Sequence, residues 1–158
     1  MSSRSKVLVA LVATLLLAVA APASASQTQL SGTAMFVGGT PELPTFSMSG
    51  SLVGTWYTDS VECHVSPGGK AAPWPCTGTE HFVGCLDANG DGQCLEPSGV
   101  LYFTYNYTGT PVGNGRCHHP IVGGTGAFEG ATGQLTFKDR LGPCGIVETT
   151  YKGHISLP

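Results

Sequence analysis

Two clusters in this sequence bring together residue types that do chemistry. The stretch Asp87-Ala-Asn89-Gly-Asp91-Gly92-Gln93 fits D-x-[DN]-x-[DN]-G, the front half of a calcium loop. That spacing sets the side-chain oxygens of Asp87, Asn89 and Asp91 on one side of a tight turn. Gly92 takes the bend, and the Gln93 carbonyl adds a ligand. The back half departs from the pattern: position twelve is Ser98 instead of a bidentate Glu, although Glu96 is near. Asn-Gly and Asp-Gly also form hairpin turns on their own, so a plain turn accounts for the same residues. A calcium ion here would be structural, and no cofactor is required.

The second cluster is Glu80-His81 with His118-His119. Carboxylate and imidazole can hold zinc or move protons. Adjacent residues on a strand face opposite sides, so His118 and His119 cannot serve one site without a bend. Pro120 follows them and points to an edge or loop position. Exposed histidines at a strand end are the simpler expectation. The sequence has no G-x-S-x-G elbow and no H-E-x-x-H pair.

The elements that position these groups begin after an export signal. Arg4 and Lys6 precede an apolar run from Val7 to Ala20, and Ala21-Pro22-Ala23-Ser24-Ala25 supplies an A-x-A cleavage pattern. The run is shorter than the roughly 20 apolar residues of a membrane span. Residues 1–25 therefore read as a signal peptide and 26–158 as one secreted domain, with no membrane span expected. Five basic residues (Lys70, Arg116, Lys138, Arg140, Lys152) then stand against ten acidic ones. They are scattered, whereas phosphate neutralisation needs a clustered basic face. Nucleic acid is not an expected partner, and no oligomeric state is implied.

All six cysteines lie beyond residue 25. An even count in an exported chain reads as disulfides, and oxidised cysteines leave no thiol nucleophile. No C-x-x-C pair suggests zinc. Six cysteines permit about 15 connectivities. Sequential pairing, Cys63–Cys76, Cys85–Cys94 and Cys117–Cys144, makes each bridge bracket a Gly/Pro-rich loop.

Twenty-three glycines argue against long helices. Short β-branched and aromatic runs alternate with turn residues instead. Strands are expected at Leu30 to Val37, Phe46 to Cys63 with bends at Gly50 and Gly54, and Gly78 to Leu86. Four more are expected at Val100 to Thr108, Arg116 to Val122, Gln134 to Asp139 and Ile146 to Leu157. Pro67 to Cys76 reads as a loop. Seven or eight antiparallel strands in one domain make a barrel or a sandwich.

Residues 123–136 read GGTGAFEGATGQLT. Gly123, Gly124 and Gly126 allow positive φ in a tight reversal, Phe128 would anchor it, and Ala131 and Gly133 permit close backbone approach. The segment leads into a strand, so it is not a phosphate loop opening a helix. Gly123, Gly124, Thr125, Gly126, Phe128, Ala131 and Gly133 resemble the signature of the allene oxide cyclase and dirigent barrel superfamily. The resemblance implies an all-β, eight-stranded antiparallel barrel with a central apolar cavity, here stapled by disulfides. The signal peptide has a bacterial look, which counts against the plant activities of that family.

In such a barrel Leu101, Phe103, Tyr105 and Tyr107 share one face of a strand and would line the cavity or pack the core. The functional expectation is a secreted barrel that binds a small apolar or aromatic molecule, or serves as a stable extracellular module. The alternatives are a cyclase or dirigent-type enzyme using the cavity, and a calcium-stabilised adhesion or envelope protein.

Overall fold

The computed structural model describes residues 26–40, 42–64, 75–87, 89–94, 98–110, 113–142 and 145–158. Residues 1–25, expected as a signal peptide, and most of the expected Pro67 to Cys76 loop lie outside them. Eight strands account for almost all of the described chain: β1 (Gln27–Gly39), β2 (Pro44–Gly50), β3 (Leu52–Cys63), β4 (Cys76–Leu86), β5 (Gly99–Thr110), β6 (Gly113–Gly126), β7 (Thr132–Gly142) and β8 (Gly145–Ser156). Each pairs antiparallel with its neighbours in sequence, and β1 pairs with β8, so the sheet closes into an up-and-down barrel. Closure removes sheet edges. Among the described residues no helix is long and apolar enough to cross a membrane.

The expected single strand from Phe46 to Cys63 is two strands. Gly50 takes a φ of 98° and Ser51 completes the reversal between them, a conformation open to glycine at little cost. Pro120 is not at an edge. It pairs with Gln134 in the interior of the sheet, at a strand position where the closed barrel has no edge to offer.

Side chains alternate inward and outward along every strand. The connections β1–β2, β3–β4, β5–β6 and β7–β8 lie at one end, called the upper end below. The β2–β3, β4–β5 and β6–β7 connections lie at the lower end. The lower half is apolar: Leu52, Phe82, Leu101, Leu135 and Ile155 are fully buried. Phe128, in the β6–β7 turn, closes it and meets Phe82 edge-on at 6.1 Å. A ring layer follows, in which Trp56 lies 4.4 Å from Phe103 and 4.9 Å from Phe137 between centroids.

Two register shifts re-aim side chains. The shift between Thr58 and Ser60 leaves Asp59 as an extra residue on the outer face. That between Tyr102 and Phe103 places Val122 outside, 61 % exposed, while Ile121 stays in the core. Both follow from inserting one residue into one strand of a pair.

Cys63–Cys76 and Cys85–Cys94 are disulfides. Cys117 is a free thiol, and its expected partner Cys144 lies outside the described residues. Cys117 sits opposite Phe137 and packs against the core.

Candidate functional site

The polar residues inside the barrel gather in its upper half, on strands whose lower halves are apolar. Glu80 lies two residues above Phe82 on β4, and His119 two residues above Ile121 on β6, so both share the inward phase of their strands. Glu80 is 7 % exposed and His119 4 %. The imidazole Nδ1 and Glu80 Oε2 are 2.7 Å apart, and Thr58 Oγ1 donates to Glu80 Oε1 at 3.0 Å. The strand-end exposure expected for these histidines holds for His118, which is outside, and fails for His119. The reason is the closed sheet, which turns the inward phase of β6 into the core at His119.

His119 is boxed by rings. Its centroid lies 4.5 Å from Phe137 and 5.4 Å from Trp56, both edge-on, and 5.8 Å from Tyr105 in a stack. Its Nε2 is buried and has no hydrogen-bond partner among the described residues. Buried polar atoms are nearly always satisfied, so this one is an exception among the described residues.

Above the pair, Tyr107, Cys117 and Asp139 are half-buried. Asp139 accepts a hydrogen bond from Thr149 Oγ1 across the β7–β8 ladder. Burial raises the Asp139 carboxyl above the ordinary carboxylate value. The Thr149 bond and His119 oppose that rise, and Glu80 adds to it. Desolvation also pushes the Cys117 thiol up, with Asp139 and Glu80 reinforcing it, so the thiol is a poor nucleophile. Tyr105 and Tyr107 are raised by desolvation first and by neighbouring negative charge second. The upper interior is therefore a desolvated region with rings beneath the Glu80–His119 pair, and with Tyr105, Tyr107, Cys117 and Asp139, whose protonated forms burial favours.

Of the row named as cavity lining, Leu101, Phe103 and Tyr105 are buried, Tyr105 against His119, and Tyr107 is half-buried. No family model matches the sequence, and neither does any curated protein. Solved structures that are similar include those of the pterocarpan synthase dirigent proteins GePTS1 and PsPTS1. The first is 13 % identical over 91 % of this chain and 96 % of its own, at a TM-score of 0.37. The second is 13 % identical over 83 % and 95 %, at 0.32. Overlap that low carries no argument, and the barrel assignment rests on its own strand pairing.

The glycine signature works differently from the expectation. Only Gly126 of its first three glycines has positive φ, at 62°. Gly124 is required by close approach, since a Cβ there would stand 2.2 Å from the Phe128 carbonyl. Phe128 and Ala131 are buried, and Gly133 takes a φ of 139° against the His154 backbone.

The Asp87–Gln93 loop lies at the lower end, on the surface. Asp87 Oδ1 accepts from the Gly90 amide at 2.7 Å and Oδ2 from the Gly92 amide at 2.7 Å. Asp91 Oδ1 accepts from the Gln93 amide and Oδ2 from Asn89 Nδ2. Each carboxylate oxygen is already used, and Asn89 aims a donor where a cation would need an oxygen. As arranged, these residues fit a hydrogen-bonded turn. Glu96 lies outside the described residues. His81, on the outer face, contacts Asp59 through Nδ1 at 2.8 Å and stacks on Tyr57.

Proposed function

We propose that this is a secreted barrel that holds a small aromatic or apolar molecule in the upper half of its interior, with one polar group of that molecule bonded to His119. The unsatisfied, buried Nε2 of His119 carries the reading. Rings of Trp56, Phe103 and Phe137 offer a flat apolar floor beneath it, and sites for small molecules combine such surfaces with a few placed polar groups. The two disulfides are compatible with an extracellular protein, and cleavage after residue 25 would deliver it there. The dirigent-type resemblance of the glycine signature agrees with a barrel that holds a small molecule.

The test is a thermal-shift screen against flat aromatic hydroxyl and carbonyl compounds, repeated with His119→Leu. The reading expects a subset to stabilise the wild type and not the variant. Stabilisation of both proteins equally, or of neither, would defeat it. The second reading, an enzyme using the same region, is favoured by the ionisable pair inside it.

A further inference from the structure

We infer that His119 is a general base acting on the molecule held beside it, with Glu80 as its positioning residue; this rests on the binding reading above. Both oxygens of Glu80 are taken by donors, Thr58 Oγ1 on Oε1 and His119 Nδ1 on Oε2. A carboxylate that accepts at both oxygens fixes the proton on Nδ1, so the neutral ring presents a lone pair at Nε2. That lone pair has no donor to satisfy it among the described residues. The geometry is the base-and-orienter half of a nucleophile triad. The nucleophile half is lacking, since no hydroxyl or thiol among the described residues is bonded to Nε2. What remains is proton transfer.

The step needs no co-reactant. A C–H or O–H bond of the substrate breaks and its proton goes to Nε2. The electron pair stays on the substrate, where it forms a new π-bond. The imidazolium, stabilised through Nδ1 by the Glu80 carboxylate, returns the proton to another atom of the same molecule. The substrate class is a small, flat carbon acid or enolisable carbonyl compound, and the reaction an isomerisation. A dry site strengthens the Glu80–imidazolium attraction far beyond its value in water.

The probe is 5-nitrobenzisoxazole, a flat heteroaromatic that reacts by base alone. Its ring C–H proton passes to the base, the electron pair forms the nitrile, and the N–O bond breaks to give a cyanophenolate. Binding is read separately from quenching of Trp56 in a Trp74→Phe background. The wild type should accelerate the opening. His119→Gln should lower the rate about 100-fold. Glu80→Gln should lower kcat less and leave the KM of the probe nearly unchanged, because Glu80 orients the ring through Nδ1 and does not touch the probe. A purely structural Glu80 would raise KM as it lowers kcat. Quenching without acceleration, or equal rates in wild type and His119→Gln, would overturn the base role and leave binding standing. Neither quenching nor acceleration would overturn both.

Discussion

Glu80 and His119 are 39 residues apart in the chain and 2.7 Å apart inside the barrel, on strands β4 and β6 with β5 between them. Losing one partner of a buried pair strands the other. His119→Ala strips Glu80 of one of its two bonds and removes a ring packed against Phe137 and Trp56, and we expect a loss of about 3–5 kcal/mol. Glu80→Ala should cost less, because it removes no ring and leaves one imidazole nitrogen without its partner. The paired replacement His119→Phe with Glu80→Leu should cost less than His119→Ala. Urea unfolding of the four proteins orders these values, and a Glu80→Ala loss larger than that of His119→Ala would contradict this packing of the pair.

A second expectation concerns Tyr151 and Gly32. The Tyr151 hydroxyl donates to the Ser49 carbonyl at 3.1 Å and accepts from the buried Leu52 amide at 2.8 Å, tying β8 to the β2–β3 reversal. The phenol is pushed up to about 12, chiefly by burial. Tyr151→Phe leaves the Leu52 amide unsatisfied, at about 1–3 kcal/mol. A Cβ on Gly32 would stand 2.0 Å from the Ser49 carbonyl oxygen and 2.5 Å from the Tyr151 hydroxyl. Gly32→Ala should therefore cost at least as much, and adding Tyr151→Phe should not rescue it, since the carbonyl clash remains. Thermal melts of the single and double variants check this, and rescue would contradict it.

The third expectation is a pH dependence. Burial keeps Asp139 protonated to a higher pH in the folded protein than in the unfolded chain. Between the ordinary carboxylate value, about 4, and the raised native one, the folded state binds the extra proton. Its stability must fall as pH rises through that window. Asp139→Asn cannot titrate. The stability of Asp139→Asn relative to wild type should climb from about pH 4 towards neutrality and then level off. A difference that is flat or declining over that range would contradict the buried placement.

The fourth concerns the surface loop. Asp87 accepts three backbone amides, from Gly90, Asp91 and Gly92. Asp87→Ala should cost about 1–2 kcal/mol in the presence of chelator. The wild-type melting temperature should be the same in calcium and in chelator. A rise with calcium that Asp87→Ala abolishes would make the loop a metal site.

Much of the barrel was legible in the sequence. The alternation of Leu101, Phe103, Tyr105 and Tyr107 marks the inward face of β5, and turn residues mark six of the seven connections between consecutive strands. The β2–β3 reversal was hidden because Gly50 and Ser51 make it in two residues, inside an apolar run that continues on both sides. The Glu80–His119 pair was hidden for another reason. It depends on which strands lie side by side, and its members face the core in a closed sheet where Pro120 would elsewhere signal an edge. One local signal was available: Glu80 is in phase with Phe82, and His119 with Ile121, so each polar residue sits on the apolar face of its strand.

The most direct measurement is native mass spectrometry of the folded protein purified from its own host, run beside His119→Leu prepared in the same way. The account expects the wild type to carry a small molecule that the variant lacks. A wild-type protein that is always bare, with no compound of the screening panel retained, would contradict it.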